Sequence, residues 1–182
     1  MRTTTMSAAA LSVAALTLST MAPASADAIG VKDPADYPHG VDLRSVVVEH
    51  NSRNVVVTTT HRNLRPSFRS GSSGAVFIDT DASDAGPEYV FVGGFFEGTD
   101  YSLLRTEGFH HSTWGNPVRG SYRMRLDFTK EQVRMRMSRA AIGSPKRVRV
   151  AVSVSGTRPD GTTIRRVDWL RSPRQFTRWV AQ

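Results

Sequence analysis

The chain offers oxygen ligands, guanidinium groups and isolated aromatics, and little of what catalysis needs. Asp79, Asp81, Ser83, Asp84 and Glu88 place side-chain oxygens at short intervals. A hard cation with six to eight oxygen ligands needs that donor type and spacing, so Asp79, Asp81, Asp84 and Glu88 could hold calcium. The stretch is not an EF-hand, because Asp84 occupies the sixth position in place of Gly and Val90 the twelfth in place of Glu. A solvated hairpin loop with Asp at turn positions is the competing reading. Trp114 stands beside Gly115-Asn116-Pro117, a loop context that suits stacking on a sugar ring. A half-buried core position is the ordinary alternative for a tryptophan.

The cations are unevenly spread. The chain has 24 Lys+Arg against 16 Asp+Glu, a net +8, yet residues 27–100 carry six basic and eleven acidic side chains and residues 101–182 seventeen and five. Arg123, Arg125, Arg134, Arg136, Arg147 and Arg149 alternate with apolar residues in three consecutive segments. That pattern predicts an arginine face able to hold an anionic cell-wall polymer, an acidic polysaccharide or another polyanion through salt-sensitive contacts. A solvated face on which Arg stems cover the sheet is the other reading. Few aromatics interleave with these arginines, which argues against specific single-strand nucleic-acid binding.

Catalytic motifs are scarce. His110-His111 would point to opposite faces of a strand and could not share a metal without a bend. No Gly-x-Ser-x-Gly elbow, His-Glu-x-x-His helix or phosphate-cradling Gly loop occurs. Glu97 and Glu107 are carboxylates that could in principle do glycosidase chemistry, so a small secreted hydrolase is a third reading behind the two binding ones. With no cysteine, disulfide scaffolds and thiolate metal sites are excluded.

The elements that must position these residues are strands. Residues 1–26 read as a signal peptide, with an apolar run over residues 8–18 and small residues at Ala24 and Ala26 before the expected cleavage; cleavage after Ala28 is the alternative. An exported protein, free or wall-associated and monomeric, is expected, with no transmembrane segment once the signal is removed. Of the basic residues 21 are Arg and three Lys, a bias that suits a GC-rich genome. Residues 27–40, with Pro34, Pro38, Gly30 and Gly40, read as a flexible leader, and residues 41–182 as one domain. Val46-Val47-Val48 and Val55 to Thr60 predict a hairpin, and Ala75 to Ile78 and Tyr89 to Val92 two further strands. Tyr122 to Phe128 and Val133 to Met137 alternate strictly, and matching their apolar faces sets Phe128 opposite Val133 and Asp127 opposite Arg134. Ala140 to Pro145 predicts a brief helical turn, Val148 to Val154 another strand, and Asp160-Gly161 a turn before Ile164 to Trp169. Ser172, Pro173, Phe176, Trp179 and Val180 have the spacing of a short C-terminal helix. Eight or nine short strands without a long helical pattern predict an all-β fold, an antiparallel β-sandwich of jelly-roll type.

The ordered series Asp42-Leu43-Arg44, Val76-Phe77-Ile78-Asp79-Thr80-Asp81, Gly86-Pro87-Glu88-Tyr89-Val90, Trp114, the alternating hairpin, Ser138 to Gly143 and Asp168-Trp169 resembles the family 9 carbohydrate-binding module and the wider DOMON-like β-sandwiches. It is also similar in layout to small secreted proteins common in actinobacteria. The resemblance implies a non-catalytic module that holds a sugar of a polysaccharide between aromatic faces. It makes Trp114 and Trp169 the residues closest to the stacking positions.

Overall fold

The structure is a computed structural model and describes residues 27–37, 42–70, 72–156 and 166–182. The expected signal segment, and Asp160, Gly161 and Ile164 of the expected last turn, lie outside the described residues. The described strands are, in chain order, β1 (Asp27–Lys32), β2 (Asp42–His50), β3 (Asn54–Arg62), β4 (Ser73–Asp79), β5 (Tyr89–Gly94) and β6 (Tyr101–Thr106). They continue with β7 (Trp114–Pro117), β8 (Tyr122–Asp127), β9 (Gln132–Ser138), β10 (Arg147–Gly156), β11 (Arg166–Trp169) and β12 (Val180–Ala181). They form two antiparallel sheets: a smaller one ordered β1-β2-β3-β9-β8, and a larger one ordered β11-β10-β4-β5-β6-β7 with β12 also on β10. This is the antiparallel sandwich that the alternating pattern predicts.

One face of each sheet supplies the core. Val46, Val48, Val55, Val57, Val133, Met135 and Met137 of the smaller sheet join Val76, Ile78, Phe91, Leu103, Val148, Val150 and Val152 of the larger in a single buried cluster. Gly74 is needed where Phe95 enters this core: a Cβ there would stand 2.1 Å from the Phe95 ring, far inside contact distance. The β2–β3 hairpin has the expected turn, with Val48 opposite Val57 and the Asn51 side chain accepting from the Arg53 and Asn54 N–H groups. Ser138 caps the expected short turn over Arg139–Ile142, and Gly143 closes it in the left-handed region.

Three expectations are corrected. The leader is not wholly loose: Asp27–Lys32 pairs with β2, because Ile29 and Val31, two residues apart, suffice to pin an edge strand onto the core. The C-terminal segment is not a helix. Its backbone is satisfied along β10 instead, through Leu170 N–H to Val152 O (3.0 Å) and Thr177 N–H to Val150 O (2.8 Å), before Val180 pairs with Val148. The β8–β9 turn also comes one residue earlier than expected, so Leu126 faces Val133, Asp127 faces Gln132, Arg125 faces Arg134 and Arg123 faces Arg136. The reason is local: the Asp127 carboxylate accepts the Lys130 N–H at 2.9 Å, and Glu131 takes a left-handed conformation, φ 54°. The faces survive because pairing moves by two residues, a full side-chain period.

His61 is the polar residue most committed to the folded state. It is buried beside the Phe95 ring, with Nε2 2.7 Å from the Thr59 hydroxyl. Burial pushes its pKa from 6.5 down to about 3. The native state therefore binds fewer protons than the unfolded chain below pH 6.5, and this contribution, whole above pH 6.5, is lost as pH falls towards 3. We expect urea denaturation to show a loss traceable to His61 of about 3 kcal/mol between pH 7 and 4. His61→Leu, in which the Thr59 hydroxyl keeps the Val133 carbonyl as acceptor, should show a slope smaller by that amount; an equal slope would exclude His61 as its source.

Candidate functional site

Strand alternation exposes a second face of the larger sheet that must also be covered. In β4, Val76 and Ile78 belong to the sandwich core, so Ala75 and Phe77 point outward, yet both are buried. They join Val90 and Ala151 in a separate cluster, against which Leu104, Phe109, Trp114, Trp169 and Phe176 pack. The Phe77 ring lies 5.8 Å from Trp169, near parallel at 15°, with Phe109 at 4.9 Å and Trp114 edge-on at 6.3 Å. Trp114 in β7 and Trp169 in β11 come from opposite edge strands of this sheet and share Phe77 as a neighbour.

Small residues beneath these rings leave a hollow of about 590 Å³. Ser73 stands opposite Ser155, and Ala75 opposite Ser153, on neighbouring strands; with Gly93 they line the hollow together with Phe77, Phe109, His111, Trp114 and Trp169. The Ser73 and Ser155 hydroxyls are 2.9 Å apart. Among the described residues no Asp, Glu, Lys or Arg lines it. It is a groove with aromatic walls and hydroxyl groups but no formal charge, within the usual size of small-ligand sites.

The sequence pair Trp114 and Trp169 is thus brought to one place, and Phe77, Phe109 and His111 were missed. The signal for Phe77 is the unbroken apolar run Ala75 to Ile78, which marks a strand covered on both faces. His111 stacks on Trp114 at 4.1 Å and 18°, while His110 caps the short turn over His111–Thr113, its Nδ1 accepting from the Ser112 N–H. The two histidines therefore serve separate contacts. The Trp114 indole N–H is buried without an acceptor, so ring packing rather than a hydrogen bond sets its orientation. Glu97 and Glu107 are both exposed and flank opposite ends of β6, a strand of roughly 20 Å.

The acidic loop is internally satisfied. Asp79 receives Arg149 Nη2 at 2.6 Å and Nε at 2.7 Å. Glu88 accepts from the Thr80 N–H and hydroxyl, and Asp84 from the Ala85 N–H. Asp81 accepts from the Ser83 N–H and hydroxyl, which hold it below the usual carboxylate range. These carboxylates do not gather into a cluster of three within ligating reach. Their arrangement is that of Asp-rich turns.

The six arginines do not share one face either. Arg123, Arg125, Arg134 and Arg136 form a two-by-two array on the outer face of the smaller sheet, around a hollow of about 220 Å³. Among the described residues Arg134 alone of the four has a carboxylate partner, Glu49 at 3.5 Å. Arg147 and Arg149 lie on β10, in the other sheet, because β9 and β10 belong to different layers of the sandwich. There both lie over the Trp179 ring at 4.7 Å, and Arg149 also over Phe176. Burial raises the Asp79 pKa, and Arg149 opposes that rise.

Compared with known proteins, the chain matches no family model and no curated protein.

Arg149→Ala should destabilise the fold by about 3 kcal/mol in denaturant titration, because it strands the buried Asp79 carboxylate. Arg125→Ala, which removes an exposed like-charge neighbour, should change stability by less than about 0.5 kcal/mol. Equal effects would show that the Asp79 pair carries no special share.

Proposed function

We propose that this chain is a non-catalytic binding module that holds a neutral carbohydrate, a sugar unit of a polysaccharide, in the aromatic groove of its larger sheet. The observation that carries the reading is the convergence of Trp114 and Trp169 on one hollow whose described lining carries no Asp, Glu, Lys or Arg and has serine hydroxyls beside the rings. Sugar rings offer apolar C–H faces to aromatic walls and hydroxyls to polar side chains, and an uncharged lining suits an uncharged ligand. The apolar run of residues 8–18 supports a protein exported to act outside the cell or at its wall.

A second reading rests on the array Arg123, Arg125, Arg134 and Arg136. Two directly opposed like-charge pairs are unfavourable by themselves, and an anionic polymer would relieve them through contacts that salt weakens.

Affinity electrophoresis against soluble glucan, xylan and a teichoic acid separates the two. Retardation by a neutral glycan is expected, weakened roughly ten- to a hundredfold in Trp114→Ala, the loss of one aromatic face, and unchanged in Arg125→Ser. Retardation by teichoic acid alone, abolished by salt and by Arg125→Ser, would replace the first reading with the second. Migration unaffected by all three polymers would overturn both.

A further inference from the structure

Three carboxylates that neither binding reading uses meet where the segment after β1 crosses β11. Ligand oxygens of Asp33, Asp36 and Asp168 all lie within 4.8 Å of one another. Asp33 and Asp168 are 6% and 2% exposed, whereas Asp36 is open to solvent. Asp168 accepts the Leu43 N–H at 2.8 Å, and Asp33 Oδ1 accepts the Arg171 N–H. The other Asp33 oxygen, Oδ2, is buried and has no hydrogen-bond partner.

The described residues give the cluster only a distant compensating charge, Arg44 acting on Asp33. Among the described residues no Lys or Arg forms an ion pair with any of the three. The neighbouring guanidinium, Arg44, is engaged by Asp42, which is itself fully buried and takes the Tyr37 N–H on its other oxygen. An unpartnered buried oxygen among like charges is a costly arrangement unless something neutralises it.

We propose that Asp33, Asp36 and Asp168 bind a calcium ion that staples the segment after β1 to β11. The donors are all carboxylate oxygens, which select a hard cation over zinc or copper. They come from an extended segment and a strand far apart in the chain, and three carboxylates exceed the one or two that usually hold magnesium. Calcium accepts six to eight oxygens in irregular, singly or doubly bonded arrangements, with water completing the shell. The ion would bind only when residues 33–36 lie against β11, and so would favour the folded state. This site is separate from the loop of Asp79, Asp81, Asp84 and Glu88.

The test uses the full protein, with calcium chloride and EGTA as the probes. Calcium at a hundredfold excess over its Kd should raise Tm by roughly 5–10 °C relative to EGTA, and calorimetric titration should give one ion per chain. Asp36→Asn, at an exposed position where folding is safe, should lose the shift, as should Asp33→Asn. In EGTA, Asp33→Asn should melt no lower than the wild type, because it removes an uncompensated charge; this separates loss of the ion from structural damage. Asp81→Asn should keep the full shift. No calcium-dependent shift in the wild type would overturn the proposal, as would a shift that survives both Asp33→Asn and Asp36→Asn or is lost in Asp81→Asn. An equal shift with magnesium would overturn the choice of calcium.

Discussion

β10 is buried on both faces from Ala151 to Gly156, and a strand in that position must present apolar or small side chains on each side. The smaller sheet covers one side. No third layer covers the other among the described residues, so aromatic side chains from edge strands and connections close over it: Phe109, Trp114, Trp169 and Phe176 around Phe77. Rings reaching in from the margins cannot fill a sheet surface evenly. Where the side chains beneath are as small as Ser73, Ala75, Ser153 and Ser155, a hollow remains. The groove is thus a consequence of how this sheet is shielded from water, and the lack of charge among its described lining residues follows from the same need.

Alternation made much of this legible. The runs from Tyr122 to Met137 and from Val148 to Val154 have period two and form strands with the expected faces, and the β-branched runs Val46 to Val48 and Val55 to Thr60 form the expected hairpin. What alternation does not encode is which strands share a sheet. Arg134 and Arg147 look equivalent in sequence but occupy opposite layers, because the turn over Arg139–Ile142 carries the chain from one sheet to the other. The C-terminal segment shows the complementary limit. The spacing of Phe176, Trp179 and Val180 suits a helix face, yet the free edge of β10 offers its carbonyls to Leu170 and Thr177, and tertiary pairing overrides local propensity. Trp114 and Trp169 were visible as isolated aromatics. Their meeting was not, since it depends on residues from both edges of a sheet whose order the sequence does not state.

Charge follows the same division. The acids of residues 79–88 are used locally, by Arg149 and by turn N–H groups, so a stretch that reads as a ligand loop is closed on itself. The arginines of β8 and β9 are the reverse case. Their register sets cation beside cation, and one of them, Arg136, is the cross-strand neighbour of Val56, which is buried on the outer face. A long stem over an apolar residue with its head in water is a stable use of arginine. Retaining four such heads together is therefore compatible with the fold as well as with an anionic partner.

The acidic cluster and the aromatic groove meet in β11. Successive residues of a strand point to opposite faces, so Asp168 turns towards β2, where it accepts the Leu43 N–H, and Trp169 turns towards the groove, where it stacks on Phe77. β11 is an edge strand of four residues, with a single pairing partner in β10. Its position across the sandwich then depends on Asp168, which links it to the smaller sheet, and on Tyr37, whose hydroxyl donates to the Val167 carbonyl at 2.9 Å. Whatever neutralises the carboxylates around Asp168 also removes the repulsion that would lift β11 away, and so holds Trp169 at the groove wall. The acidic corner and the aromatic groove thus share one short edge strand, through adjacent residues that face opposite ways.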